Sequence, residues 1–416
     1  MKSTSLLIAL TALSAQAPAE DWPGWRGPDG LGVSRETGLP WRWSATENIA
    51  WKTPVPGQGT SSPAIAGDRV HLTSQGEDTG LRVLAFDRAS GRLLWDREIA
   101  KGTGKAHQLH NMATPTPAAD AAHVWALFGT GDLACLDREG NIVWQRNLQK
   151  DHGAYNILWG MGTSPMLHHG RLFIACMHQG PSYLLAVDAK TGKDLWKADR
   201  NLGAKDESPD SYSSPVFLRD KGRTQVVLAG ADHVTAHDAQ TGEQLWISGG
   251  LAVPHKAGRT ISGPAAGDGV VVAVASGFQN RGWLLAVRGG GRGDVTASHR
   301  QWEARRNAPD CPTPVVYQDM VFLIRDDGIA SCLDLKTGQA HWSERLFAAN
   351  VKVSPVAGDG RVYFMSGTGE TKVLRAGAKF EVLAENPLGE ETLCSPALSQ
   401  GKMFVRTRGH LWAIEK

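Results

Sequence analysis

The 416-residue sequence has few cysteines and no long run of basic residues. Its five cysteines are an odd number, scattered without an adjacent pair or a C-x-x-C pair, so we interpret them as small apolar side chains rather than a disulfide framework. They are Cys135, Cys176, Cys311, Cys332 and Cys394. The formal net charge is only +2. Without a basic cluster to follow a phosphate backbone, we expect no nucleic acid partner.

Familiar catalytic motifs are also missing. The sequence has no G-x-S-x-G, no H-E-x-x-H, no P-loop, no EF-hand loop and no C-x-x-C-H. The run Gly289–Asp294, with four glycines, could be read as a phosphate-binding loop, but it stands where a repeat has its turn. We interpret it as a hairpin turn.

The N-terminus has the three parts of a secretory signal peptide. Lys2 is basic, the apolar stretch from Leu6 to Leu13 is too short to span a bilayer, and Ala17 and Ala19 end A-x-A cleavage patterns. A buried N-terminal helix is the alternative. We expect residues 1–19 to be removed and the mature protein to be periplasmic or secreted, without a lipid-anchoring cysteine or a transmembrane segment.

One unit, A-x-D-x-x-T-G-x-x-x-W, recurs along the chain. Clear copies begin at Ala85, Ala186 and Ala236, and altered copies begin at Cys135 and Cys332. Apolar alternation on both sides of a T-G turn is typical of a β-hairpin. A Trp at a fixed position in each hairpin is large enough to pack on the neighbouring unit and join successive repeats. The tryptophans predicted to do so are Trp51, Trp95, Trp144, Trp196, Trp246, Trp302 and Trp342.

A small residue followed by proline opens each unit. These prolines are Pro63, Pro117, Pro165, Pro215, Pro264, Pro314, Pro355 and Pro396. Each interval of 41 to 54 residues, by subtraction, holds four short strands, which is the repeat of a β-propeller blade. We predict an all-β, eight-bladed β-propeller of four-stranded antiparallel blades over residues 47–416, preceded by a Trp-rich N-terminal extension over residues 20–46.

The two ends of the repeat region complement each other. The last unit ends at Leu411–Ile414 without its Trp-bearing strand, and Asn48–Trp51 matches that strand. We predict that this N-terminal strand completes the last blade, since an open ring would leave exposed strand edges.

The repeat unit resembles the tryptophan-docking motif of PQQ-dependent dehydrogenases and of the outer-membrane assembly protein BamB. Asp21–Pro28 and Asn48–Lys52 resemble the openings of PQQ-like propeller proteins abundant in Planctomycetes. The resemblance covers essentially the whole mature chain and, through BamB, implies a protein partner at the cell envelope. The dehydrogenases hold their quinone with a metal ion and commonly with adjacent cysteines. This sequence has no adjacent cysteines, so we expect no cofactor and regard PQQ as unlikely.

Polar and aromatic residues cluster in the loops before the small-residue-proline openers. In a propeller these loops meet at one mouth of the central channel, where a small ligand can bind. The predicted ligand-binding residues are His110, Asn111, Trp159, Tyr212, His255, Arg259, Asn307 and Lys352. The aromatic members suit stacking on a sugar ring, and the cationic members suit an anionic ligand such as a uronic or sulfated sugar. Plain solvated loops are the alternative.

Histidines in the same loops are candidates for a metal site, because imidazole is a common ligand of divalent metals. The candidates are His107, His110, His152 and His255. The sequence does not identify a catalytic residue.

These observations favour a non-catalytic binding or scaffold module with an envelope protein or a glycan as partner at the channel mouth. The alternative is an oxidoreductase or a carbohydrate-active enzyme with a quinone or metal site in the central funnel. Histidines that converge, or a carboxylate pair in a deep pocket, would favour the enzyme.

Overall fold

The computed structural model of the protein describes residues 20–104, 106–277, 282–348 and 350–416. Within these residues the strands form eight sheets, each built from four antiparallel strands, one of which gains a fifth strand, and there is one short α-helix. This confirms the all-β, eight-bladed β-propeller. The predicted signal peptide lies outside the described residues.

The blades are numbered along the chain, and the strands of each are given from the channel outward. Blade 1 contains β2 (Ala64–Ala66), β3 (Arg69–Gln75), β4 (Gly80–Asp87) and β5 (Leu93–Lys101). Blade 2 contains β6 (Ala118–Ala119), β7 (His123–Leu127), β8 (Asp132–Asp137) and β9 (Ile142–Asn147), and is followed by α1 (Leu148–His152). Blade 3 contains β10 (Met166–His168), β11 (Arg171–Cys176), β12 (Tyr183–Asp188) and β13 (Asp194–Asp199). Blade 4 contains β14 (Val216–Asp220), β15 (Arg223–Gly230), β16 (His233–Asp238) and β17 (Gln244–Gly249).

The remaining blades follow the same order. Blade 5 contains β18 (Ala265–Gly267), β19 (Val270–Ala275), β20 (Trp283–Arg288) and β22 (Arg300–Ala304), with β21 (Gly293–Asp294) between the last two. Blade 6 contains β23 (Val315–Tyr317), β24 (Met320–Ile324), β25 (Ile329–Asp334) and β26 (Ala340–Arg345). Blade 7 contains β27 (Val356–Gly358), β28 (Arg361–Met365), β29 (Glu370–Arg375) and β30 (Val382–Pro387). Blade 8 contains β31 (Ala397–Ser399), β32 (Lys402–Arg406), β33 (His410–Ile414) and β1 (Ile49–Pro54).

Burial follows the position of a strand within its blade. All six residues of β19 are buried, because both faces of an inner strand pack on neighbouring blades. In the outer strand β26 only Trp342 is buried. The hydrophobic core therefore lies between the blades, and an outer strand contributes mainly its docking Trp.

The first strand of the chain completes the last blade, as predicted. β1 pairs with β33 antiparallel, with Lys52 opposite Trp412 and Thr53 opposite Leu411. This pairing covers the outer edge of β33 and closes the ring.

Six of the seven predicted tryptophans pack on the hairpin turn of the next blade. The contacts are Trp51 with Gly91, Trp95 with Gly140, Trp144 with Gly192, Trp196 with Gly242, Trp302 with Gly338, and Trp342 with Gly377. Five of the six, all except Trp196, donate an indole N–H to a backbone carbonyl of that blade at 2.8–3.1 Å. Each joins two blades by apolar contact and, with that exception, by a directed hydrogen bond.

Trp246 departs from this pattern. Its Nε1 donates to Oε1 of Gln225 in its own blade at 2.9 Å. The glycine-rich run forms a turn and then β21, which pairs parallel with β17 and places Gly293 opposite Trp246. The run therefore belongs to a hairpin, as interpreted from the sequence, and it also adds a fifth strand to blade 4.

A belt of hydroxyl groups links the openers around the channel. In the described residues, six openers donate a backbone N–H to the hydroxyl oxygen of the next opener at 2.9–3.0 Å. The pairs are Ser62 with Thr116, Thr116 with Ser164, Ser164 with Ser214, Gly263 with Thr313, Thr313 with Ser354, and Ser354 with Ser395. We call this set the hydroxyl belt. Gly263 has no hydroxyl to offer Ser214, so the belt is interrupted there.

The N-terminal extension crosses the channel at the end opposite the mouth. The backbones of Trp22 and Ile65 exchange two hydrogen bonds in blade 1, and Ser34 N–H donates to Ala357 O in blade 7. The buried carboxylate of Glu36 accepts two backbone N–H groups from the β31–β32 turn of blade 8, both at 2.7 Å. The extension also reaches blade 2, where Pro23 O accepts the N–H of Ala119 at 2.8 Å, and blade 6, where Arg26 donates to Pro314 O at 2.7 Å. It is therefore attached to blades on opposite sides of the ring, and Trp25 lines the channel cavity from this end, which leaves a funnel open at the mouth.

Candidate functional site: the central funnel

The funnel contains a cavity of about 290 Å³. Its wall is built from the openers and the loops that precede them. The lining residues are Thr60, His107, Leu109, His110, Thr114, Trp159, Gly162, Ser164, Tyr212, Ser213, Ser214, Arg259, Ile261, Gly263, Asp310, Cys311, Thr313, Lys352 and Leu393, with Trp25 from the N-terminal extension. Residues from distant parts of the sequence thus converge on one cavity.

Aromatic side chains form one part of the lining. Trp159 contacts His107 edge to face, with ring centroids 5.3 Å apart, and its carbonyl accepts the N–H of His107 at 3.2 Å. Tyr212 is anchored through its backbone N–H, which donates to Thr260 O at 3.0 Å. Trp25 reaches the cavity from the opposite end of the channel. Three aromatic rings in a small cavity provide flat apolar surface for a ring-shaped ligand.

A charged cluster forms another part of the lining. Lys352 Nζ lies 2.6 Å from Asp326 Oδ1, and the other oxygen of Asp326 accepts the backbone N–H of Asp310 at 2.6 Å. Burial and the nearby Asp326 raise the pKa of the Asp310 carboxyl. Burial also raises the pKa of the Cys311 thiol. Burial acts to lower the pKa of Lys352, but Cys311 and Asp326 outweigh this effect and raise it.

Arg259 and His110 complete the polar lining. Arg259 Nη1 lies 2.7 Å from Glu207 Oε2, so its charge is paired. Burial lowers the pKa of His110, which favours the neutral imidazole. The Nε2 atom of His110 lies 3.4 Å from the backbone nitrogen of His107, so these two histidines support the same loop.

The structure brings together five of the eight predicted ligand-binding residues, namely His110, Trp159, Tyr212, Arg259 and Lys352. The other three lie beside the funnel or outside it. Asn111 Nδ2 donates to Gln58 O at 3.2 Å. His255 lines a separate open groove, and Asn307 Oδ1 accepts from Arg325 at 3.0 Å.

The four candidate metal-binding histidines do not meet at one point. His152 ends α1, where its Nε2 lies 3.2 Å from Asp194 and its ring packs on Tyr183. His255 is in the separate groove, so His107 and His110 remain as a pair in the funnel. Among the described residues, the group of three metal-type ligand atoms within 4.8 Å of one another comes instead from Asp310, Cys311 and Asp326.

The family model described as outer membrane protein assembly factor BamB matches residues 33–200 and 181–416 of this chain. The chain belongs to this family. Among curated relatives, the BamB-like propeller is 26% identical over 206 residues to outer membrane protein assembly factor BamB of Yersinia pestis, covering 49% of this chain and 46% of the relative. It is 23% identical over 274 residues to polyvinylalcohol dehydrogenase of Pseudomonas sp, covering 55% of this chain and 40% of the relative. The chain thus spans less than half the length of either relative.

Solved structures share the fold. BamB from Moraxella catarrhalis matches the BamB-like propeller with a TM-score of 0.63 at 14% identity, over 88% of this chain and 99% of that one. Quinohemoprotein alcohol dehydrogenase from Comamonas testosteroni matches with a TM-score of 0.67 at 14% identity, over 97% of this chain and 81% of that one. At this identity the likeness is one of fold. In the described part of the chain, no helix has the length and apolar character needed to cross a membrane.

Trp25, Asp310 and Cys311 line the funnel although sequence reasoning did not select them as site residues. Asp310 and Cys311 directly precede the opener of blade 6, so their position in the sequence could have identified them as residues of the channel mouth. Trp25 precedes the first blade, and its place in the funnel depends on the path of the extension across the channel.

Proposed function

We propose that the BamB-like propeller is an exported, non-catalytic binding protein that holds one sugar ring of a glycan in the central funnel. The observation that carries this proposal is a blind cavity in which Trp25, Trp159 and Tyr212 adjoin Arg259 and Lys352. A pyranose has an apolar C–H face that packs on an aromatic ring and a rim of hydroxyl groups that form hydrogen bonds. The funnel offers both kinds of contact.

The cavity volume favours a small ligand over a protein segment. Ligand pockets span roughly 300–1,000 Å³, and the funnel, at about 290 Å³, lies just below that range. A protein partner would have to use the rim of the mouth instead. The similarity to outer membrane protein assembly factor BamB supports a location at the cell envelope, where glycans are exposed.

The proposal is tested by titrating the protein with glucose, galactose, mannose, N-acetylglucosamine and glucuronate, using calorimetry and tryptophan fluorescence. We expect saturable binding by at least one sugar and a loss of at least tenfold in affinity in Trp159→Ala. Trp283→Ala is the matched control, because Trp283 is stacked by Arg305 and is not part of the funnel lining. Absence of saturable binding across the panel contradicts the proposal.

The second candidate is an oxidoreductase with a quinone in the funnel. Similarity to two dehydrogenases favours it, as does the carboxyl pair of Asp310, which lines the cavity, and the adjacent Asp326. The donor set does not fit a metal-held quinone, because Lys352 already neutralises Asp326 at 2.6 Å and a divalent cation would have to displace it. Stabilisation in a thermal-shift assay by quinone with calcium, lost in Asp310→Asn, would favour the oxidoreductase over the binding protein.

A further inference from the structure

Arg26 is fully buried next to the floor of the funnel. It follows Trp25, which lines the cavity, and its Nη atoms donate to the backbone carbonyls of Pro314 and Pro355 at 2.7 and 3.0 Å. Both prolines directly follow residues of the hydroxyl belt. The guanidinium group of Arg26 therefore lies inside the ring, close to the cavity.

Arg406 is a second buried cation beside the funnel, at the seam between blades 8 and 1. Its Nη1 donates to Ser61 Oγ and to Thr73 O, both at 2.8 Å. Ser61 directly follows Thr60, which lines the cavity. The two arginines thus approach the funnel from the extension and from the seam.

Neither arginine has a carboxylate partner in the part of the chain that the structure describes. Within the described residues no carboxylate oxygen forms an ion pair with Arg26 or Arg406, and the Nε atom of each is buried without a hydrogen-bond partner. Carbonyl and hydroxyl oxygens orient a guanidinium group, but they carry no net charge to cancel it. Burial lowers the pKa of Arg26 to about 9, so Arg26 stays protonated at neutral pH.

The other charges of the funnel largely cancel. Arg259 is paired with Glu207 and Lys352 with Asp326. Asp310 is the remaining carboxyl of the lining, so at most one negative charge stands against the two buried arginines, and burial raises its pKa. Because a cleft with low-dielectric walls focuses the field of nearby charges, two uncompensated cations give the funnel a positive potential.

From this arrangement we infer that the funnel selects an anionic ligand, so that the sugar it binds is an acidic one with its carboxylate directed toward Arg26 and Arg406. This inference rests on the proposed function and names the chemical class of its ligand. Arg26 and Arg406 act on the ligand through the field they produce, while the aromatic residues contact the ring itself.

Glucuronate and glucose test the inference, because they differ only in a carboxylate that replaces the hydroxymethyl group. We expect glucuronate to bind at least tenfold more tightly than glucose to the full chain at low ionic strength, with the ratio falling several-fold in Arg26→Met and in Arg406→Met. Arg223→Met removes the same charge from the exposed start of β15 and should leave the ratio unchanged.

Asp310→Asn gives an independent test, since it does not alter the buried arginines. Removing this carboxyl should increase the preference for glucuronate. Equal affinities for the two sugars in the unmodified protein, or a ratio that neither Asp310→Asn nor the arginine variants change, would overturn the inference and leave sugar binding intact. If neither sugar nor any other member of the panel binds, the proposed function fails and the inference falls with it.

Discussion

The indole ring of Trp196 lies against Gly242 of the next blade so closely that a Cβ on this glycine would be 2.6 Å from Cε3 of the ring. Gly242 also has a φ of +78°, a conformation that side chains disfavour. The glycine of the repeat therefore serves two purposes. It allows the turn, and it leaves room for the tryptophan that joins two blades.

Gly242→Ala should destabilise the protein through both effects. The left-handed conformation costs an alanine roughly 1–2 kcal/mol, and the overpacked contact with Trp196 adds roughly 1–3 kcal/mol. Gly222→Ala is the matched control, because Gly222 has a φ of +79° with nothing within 4 Å of its Cβ position. Urea unfolding followed by circular dichroism measures both variants, and equal losses would contradict the packing role of Trp196.

Gly263→Ser should stabilise the ring by closing the gap in the hydroxyl belt between Ser214 and Gly263. A Cβ at this position meets Ser214 O and the Thr313 side chain at 3.6 Å, which is ordinary contact distance. The new hydroxyl would accept the N–H of Ser214, a hydrogen bond of about 0.5–1.5 kcal/mol. Gly263→Ala separates this gain from the loss of chain entropy in the unfolded state. The melting temperatures of the two variants give the comparison, and a serine variant no more stable than the alanine variant would contradict it.

Three buried histidines should make the protein less stable in mild acid. Burial lowers the pKa of His71 from 6.5 to about 3, and those of His178 and His237 to about 4. Below pH 6.5 the unfolded chain binds protons that the folded chain does not. The free energy of unfolding should therefore be independent of these groups above that pH and decrease toward pH 4, by up to about 1.4 kcal/mol per pH unit for each histidine.

Urea titrations at several values between pH 7.5 and pH 4.5 measure this slope. His71→Gln should reduce it, while His341→Gln, on the exposed face of β26, should not. An unchanged slope in His71→Gln would mean that His71 gains access to water in the folded protein.

Cys311 should be the first cysteine to react with iodoacetamide in the folded protein. It is half-buried in the funnel lining, whereas the other four cysteines are buried. Because burial raises the pKa of its thiol, the reaction should be slow at neutral pH and accelerate about tenfold per pH unit as the thiolate forms. Peptide mass spectrometry identifies the order of modification, and a sugar bound in the funnel should protect Cys311. Faster labelling of Cys135 would contradict the position assigned to Cys311.

The propeller could be predicted from the sequence because each blade repeats two local signals, the opener and the hairpin with its Trp. The strand Ile49–Pro54 was recognisable for the same reason, since it carries the Trp that the last unit lacks. Trp246 lies in an intact copy of the unit, but its packing depends on a fifth strand that the glycine-rich run forms about 47 residues further along the sequence.

The funnel was only partly predictable. Loops before the openers point to the mouth as a group, and Trp159, Tyr212 and Lys352 from these loops line the cavity. His152 ends α1 and lies next to Asp194. The composition of a loop reveals neither a short helix nor an ion pair, so this position could not be predicted. Trp25 could not be placed, since no periodic pattern determines where a segment outside the repeats will dock.

The pairing of β1 with β33 also constrains the order of assembly. A blade such as blade 6 closes within about 30 consecutive residues, whereas blade 8 needs partners from opposite ends of the chain. The entropy of loop closure grows with the length of the intervening segment, so this contact is the most expensive to form before the others exist. During synthesis β1 therefore stays unpaired until β33, about 360 residues further along the sequence, has left the ribosome.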